Sequence, residues 1–346
     1  MKIRWLVLAL VLGGGTCGVG RAFDTIKTGK GTFPGRIVGM NATDVDFEQA
    51  SGGTLSKQIP VNQIQAIYYD GEPFQLKNAK KLVSNAGYAE ALAELRRIKK
   101  EPDRKEIRQD IEFYKALCTA KLALGGAGKI ADAGRMMKSF IDANPKNYHY
   151  FEALEIVGDL LVAIRQYPQA MGYYARLDKA PWPDYKMRAG VATGRALLKQ
   201  GNSEEAIAAF DNVIGDLAEG PLVETQRTRA VLGKASALNA SKKPDEAIKI
   251  VEDVLKKTDP ENAPLMAQAY NVLGTAQRQA GHTKEALLAF LRVDVLYPAI
   301  PEAHAEALSN LVDLWGQVHQ TERANQARSI LEKQYKESSW AKKGGE

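Results

Sequence analysis

Six residues recur along this chain at fixed offsets, and the recurrence limits its fold more than any other feature. Gly274, Gly281, Ala286, Phe290, Val293 and Pro298 form the clearest unit; Gly194, Gly201, Ala206, Phe210 and Val213 repeat its first five positions eighty residues earlier. Gly158, Ala170, Tyr174 and Leu177 give a third copy, with Tyr167 in its turn. A unit of this size cannot bury its apolar face alone, so copies must stack on one another into a quasi-linear array. The glycine lets one helix approach its partner, the alanine does the same from the other side, and the aromatic fills the space between neighbouring hairpins.

Weaker copies extend the array both ways. Ala79, Tyr88, Ala91, Leu95, Ile98 and Pro102 fit one unit, and Ala120, Ala133, Met137, Phe140 and Pro145 fit another with an insertion at Gly125-Gly126. Gly233, Ala247, Val251, Val254 and Pro260 fit with extra residues near Lys242-Lys243, and Val312, Ala324, Arg328 and Leu331 close the array with a degenerate, cap-like unit. The pattern resembles the tetratricopeptide repeat, with its small residue in the first helix, glycine turn, alanine and aromatic in the second helix, and closing proline. The resemblance covers residues 74–336 and implies a mostly α-helical solenoid of seven hairpins. It departs from the family pattern where the unit around Ala120 lacks the first-helix glycine and where Arg328 replaces the second-helix aromatic.

Residues 23–73 differ from this texture. Ile37, Val45, Phe47, Ile59, Val61, Ile64, Ile67 and Tyr69 lie in short segments broken by Gly35, Gly39, Gly52, Gly53 and Pro60, a pattern of four or five short strands. Val45-Asp46-Phe47-Glu48 alternates as a strand with one wet face should, and Gly52-Gly53 suits a hairpin turn. A small SH3-like or Sm-like barrel is expected, because closure removes exposed strand edges.

Residues 1–22 have the layout of a secretory leader: Lys2 and Arg4, an apolar run from Trp5 to Leu12, then small residues up to Ala22. An exported chain, periplasmic or in the cell envelope, is expected, with cleavage after Ala22; lipidation at Cys17 is the rival, against which stands Gly14 where a bulky aliphatic residue belongs. Leader, small β module and repeat array, in that order, are similar to exported repeat proteins of envelope-rich bacteria. Loss of Lys2, Arg4 and Arg21, with no acid among those residues, lowers the formal charge from +6 to +3, too little to imply nucleic-acid binding. Only Cys118 would then remain, so no intramolecular disulfide is available. Residues 337–346 form a C-terminal tail.

Catalytic spacing is missing from the sequence. His149, His282, His304 and His319 sit in different expected elements, with no His or Cys at chelating distance, so no metal is expected. Gly29-Lys30-Gly31-Thr32 and Gly125-Gly126-Ala127-Gly128-Lys129 lack the glycine position or the strand that a phosphate loop requires and read as turns. Cys118 falls on an apolar helix face as an inert thiol. The chain is therefore read as non-enzymatic and without a cofactor.

The tetratricopeptide resemblance places the first helix of each hairpin on the concave side. Its ligand-facing positions map onto Glu152, Glu155 and Asp159; onto Arg188, Arg195 and Lys199; onto Arg227 and Lys234; and onto Asn271, Thr275 and Arg278. Arg188, Arg195 and Lys199 are seven and then four apart, which keeps them on one helix face, and Arg227 with Lys234 repeats the seven-residue step. An interaction scaffold that holds a protein or peptide, acidic in character, is expected. The other expectation is a carbohydrate- or cell-wall-associated module using the β domain, with Trp182 or Trp340 stacking on sugar rings; burial of Trp182 between Pro181 and Pro183 argues against that use of its indole.

Overall fold

A computed structural model describes residues 23–49 and 56–343. The leader at residues 1–22 with Cys17, the Gly52-Gly53 turn and residues 344–346 lie outside them.

Five antiparallel strands come first: β1 (Asp24–Thr28), β2 (Gly31–Met40), β3 (Asp44–Gln49), β4 (Ser56–Pro60) and β5 (Ile64–Tyr68), in the order β4-β3-β2-β1-β5. Gly29-Lys30 is the tight turn joining β1 to β2, whose register pairs Thr28 with Gly31 and Asp24 with Gly35. The two edge strands are consecutive in the chain, joined only by the 3-10 turn Val61–Gln63. Laid flat, the sheet would hold its edges roughly 19 Å apart, whereas the link from Pro60 to Ile64 spans at most about 14 Å. The sheet must therefore curl, as the barrel expectation requires. At Gly35 a side chain would strike the Phe47 ring, so the long strand β2 crosses the core only because this position is bare. Ile26, Val45, Phe47, Ile59 and Ile67 fill the interior; Val61, expected in a strand, packs from the 3-10 turn.

Seven helical hairpins follow: α1 (Phe74–Ser84) with α2 (Tyr88–Arg96), α3 (Lys105–Leu124) with α4 (Ile130–Ala143), α5 (Tyr150–Ala163) with α6 (Tyr167–Leu177), α7 (Pro183–Gln200) with α8 (Ser203–Ile214), α9 (Pro221–Ala240) with α10 (Pro244–Lys257), α11 (Ala263–Gln279) with α12 (Thr283–Leu296), and α13 (Pro301–Gln317) with α14 (Thr321–Gln334). A short helix α15 (Ser339–Lys343) ends the described chain. Every hairpin turn holds one left-handed residue: Ala86, Gly126, Arg165, Gly201, Lys242, Gly281 and His319. Each is followed by an N–H that reaches back to a carbonyl in the last turn of the preceding helix, as from Asn202 to Leu197 (3.0 Å) and from Lys243 to Leu238 (2.9 Å). This closes the orphan carbonyls of the helix end and explains how units lacking the turn glycine keep the same geometry.

The packing follows the repeat. Phe210 lies between Gly194 of its own hairpin and Gly233 of the next, Tyr174 packs on Gly158, and Phe290 on Gly274. The β module is not loosely tethered, because one continuous core runs from Ile26 and Phe47 through Leu76, Phe113 and Leu154 to Ala189. At that junction the buried Lys80 ammonium uses all three donors, on the Ile67 carbonyl oxygen (2.5 Å), Glu72 (2.7 Å) and Asp110 (2.8 Å). Arg104 holds Asp24 through two parallel hydrogen bonds of 2.6 and 2.9 Å, and Asn62 donates to Asp184 on α7 at 2.8 Å. No helix among the described residues is long and apolar enough to cross a membrane.

Candidate ligand-binding face

Successive first helices pack side by side, α5 on α7, α7 on α9 and α9 on α11, and α5, α7 and α9 carry a charge cluster in this layer. Arg188 on α7 forms an ion pair with Glu155 on α5, its Nε 2.8 Å from the carboxylate, and its guanidinium lies 4.5 Å from the Tyr185 ring centroid. Arg195, two turns along, donates to Asp159 at 2.8 Å, and Asp159 also accepts from the Tyr174 hydroxyl at 2.9 Å. Burial alone would raise the Glu155 carboxyl, but Arg188, then Arg195, Arg229 and Lys121, hold it well below the usual carboxylate range. The Arg195 side chain is still 44% open to water, as suits a group that lines a channel.

Arg229 on α9 belongs to the same cluster and was not among the positions read from the sequence. Its Nη1 donates weakly to Gln226 (3.4 Å), and it forms no carboxylate ion pair with any described residue. Burial depresses its pKa, and Arg188 and Arg195 depress it further against the opposing pull of Glu155 and Asp159. Glu152 also acts on Arg188 and Glu302 on Arg195, so the three guanidinium groups stand among four carboxylates, of which Glu155 and Asp159 form the direct ion pairs.

The other sequence-derived positions are spread more widely. Arg227 donates to the carbonyl oxygens of Asp216 (2.8 Å) and Ala218 (2.9 Å) and pairs with Glu224, which fixes the α8–α9 loop. Lys234 pairs with Asp211 on α8 at 2.7 Å. Asn271 is buried and donates to the Ala303 carbonyl oxygen (2.9 Å) and to Glu306 (3.3 Å), tying α11 to α13. Arg278 reaches Asn310 at 3.0 Å and Asp313 at 3.2 Å. Lys199 is exposed, with its ammonium 5.6 Å from the Trp340 ring centroid.

Elsewhere the side chains serve packing. Trp182 stands against Phe151 and Tyr185, ring centroids 6.0 and 5.1 Å away. His149 stacks on Phe113 at 3.6 Å, and His304 bridges Tyr335 and Asp294, both at 2.8 Å. Cys118 is buried, and burial pushes its thiol up to about 12.

Residues 191–263 and 232–301 match a family model of the tetratricopeptide repeat. Among solved structures, a Rap protein complexed with Competence and Sporulation Factor is similar over 76% of this chain and 74% of its own, at 12% identity and a TM-score of 0.54. A tetratricopeptide repeat protein from Parabacteroides merdae is 17% identical over 75% of this chain and 91% of its own, with a TM-score of 0.46. The apo quorum sensor NprR from B. thuringiensis is 10% identical over 75% and 86%, with a TM-score of 0.44. No protein of curated function matches the sequence.

Proposed function

We propose that this chain, which carries tetratricopeptide repeats and folds as a tetratricopeptide-like solenoid, is a non-enzymatic interaction scaffold that holds an acidic segment of a protein on its concave face. The observation that carries this is Arg229 on α9, a guanidinium that forms no carboxylate ion pair with any described residue. Arg188 and Arg195 have their carboxylates in Glu155 and Asp159, while Arg229 has none. A partly desolvated guanidinium beside two others is stabilised by any carboxylate that enters, and its planar donors suit a bidentate hold. The Rap protein of like fold was itself solved in a complex.

An acidic side chain or a chain terminus brings the missing charge. The leader-like residues 1–22 support export, so the partner is sought in the cell envelope. The test is crosslinking of the tagged chain in envelopes of its host, with wild type beside Arg229→Glu. Charge reversal at a partly buried anchor should cost about 2 kcal/mol or more, roughly thirtyfold in affinity, so a reproducible partner should vanish from the variant. A partner captured equally by a variant of unchanged circular dichroism would refute the assignment.

A further inference from the structure

The turn between α3 and α4, an insertion relative to the repeat, is where the two ends of the superhelix meet. At Gly126, whose φ is +87°, a side chain would collide with the backbone and side chain of Ser338; at Gly125 it would collide with Pro301. The Glu337 N–H donates to the Gly126 carbonyl oxygen at 3.0 Å. From this anchor the chain turns into α15, with the Ala341 N–H donating to Ser338 Oγ (3.1 Å) and Ser309 Oγ donating to the Trp340 carbonyl oxygen (3.3 Å).

The Trp340 indole consequently lies across the concave face. It borders a cavity of about 390 Å³ shared with Asp159, Arg195, Lys199 and Glu302, and a second of about 160 Å³ shared with Arg278 and Asp313. Its ring lies near the Lys199 ammonium. Two of the cations assigned to ligand recognition therefore border the same cavity as an aromatic side chain of the chain itself.

We propose that residues Glu337–Lys343 act as an internal ligand of the concave face, and that a partner reaches Arg195 and Lys199 by displacing this strap with an aromatic residue of its own. The inference rests on the concave face being the recognition surface. Two features of the strap suit displacement. It is a single short helix tied by the Glu337–Gly126 and Ser309–Trp340 hydrogen bonds and packed on the α12–α14 core, so it can open without unfolding a hairpin. Its central contact, an indole near an ammonium, is one that any aromatic-bearing peptide can reproduce.

The probe is a fluorescein-labelled synthetic peptide with the sequence of residues 333–343, titrated by anisotropy onto the full chain. A tethered strap competes at high effective concentration, so the peptide should bind the Trp340→Ala chain at least about tenfold more tightly than wild type. Adding Lys199→Met, which removes the ammonium without adding an anion, or replacing the tryptophan of the peptide with alanine, should abolish that gain. Equal binding to both chains, no binding to either, or a gain that survives Lys199→Met overturns the proposal. On the unaltered chain, saturating peptide should speed amide exchange in residues 335–343, and unchanged exchange at saturation counts against it. Loss of the peptide gain while an Arg229-dependent envelope partner persists overturns the strap alone, whereas a partner indifferent to Arg229 with the peptide gain intact overturns the scaffold reading alone.

Discussion

Phe210 is held between two glycines, and substitution there tests the packing rule that builds the superhelix. A Cβ added at Gly194 would stand 2.6 Å from Phe210 Cε1, and one at Gly233 would press on the same ring from the next hairpin. Alanine in a helix interior gains about 1 kcal/mol over glycine, while overpacking a core costs about 1–3 kcal/mol. The upper part of that range applies, because a ring that retreats from Gly194 meets Gly233. Gly194→Ala and Gly233→Ala should each destabilise by about 1–2 kcal/mol net. Gly172 on the exposed face of α6 has nothing within 4 Å of an added Cβ, so Gly172→Ala should stabilise by about 0.5–1 kcal/mol. Urea unfolding followed at 222 nm reads the sign, and amide exchange in α8 and α9 locates the effect. Phe210→Leu should lower the cost of Gly233→Ala, a coupling of about 1 kcal/mol in a double-mutant cycle. Stabilisation by Gly194→Ala and Gly233→Ala, matching that of Gly172→Ala, would refute the close-approach account.

Lys80→Met should destabilise by about 3–5 kcal/mol, since Glu72 and Asp110 would be left buried without a cation; a urea midpoint near wild type would count against the rivet between β module and repeats. Asp24 would be raised by burial, but Arg104 and the backbone N–H groups of Asp70 and Ile37 hold it below its ordinary value. Its stabilising contribution is therefore complete above the unfolded pKa of about 4 and is lost as pH falls through the lower folded value, so the urea midpoint should fall more steeply from pH 6 to pH 3 in wild type than in Asp24→Asn. Replacing the left-handed Lys242 with glycine should stabilise by about 0.5–1 kcal/mol, whereas a loss in the urea midpoint would contradict the turn assignment. Iodoacetamide at pH 8 should leave Cys118 unmodified in the folded chain and label it in urea, by intact mass.

The hairpins were legible because close helix contact demands small residues at fixed places: Gly158, Gly194 and Gly274 each meet the ring of their own unit, while Gly233, whose unit has Val251 at the aromatic position, meets Phe210 of the preceding hairpin. The charge cluster was legible on α7 and not on α9. Arg227 and Arg229 stand two residues, about 200°, apart on one helix and so point to nearly opposite sides. A seven-residue step linking Arg227 to Lys234 identifies a face but not where it points, and buried residues run all round α9, from Val223 and Gln226 to Leu232 and Leu238, so no apolar stripe marks its inner side. The Gly125-Gly126 insertion was visible as a departure from the repeat. That it receives residues 337–338, more than two hundred positions later, depends on the accumulated curvature of the hairpins between them. The Lys80 cluster was hidden for a similar reason, because its acids come from the domain junction and from α3.

The most direct measurement of the central claim is site-specific photocrosslinking in whole cells of the host. A benzophenone amino acid would be placed either at Ala163, exposed at the inner end of α5 beside the cavity, or at Leu217, exposed on the outer α8–α9 loop. Recognition on the concave face predicts a discrete protein adduct from position 163 that disappears with Arg229→Glu, and none from position 217. An adduct from position 217 alone, or one from position 163 that is indifferent to Arg229, would contradict it.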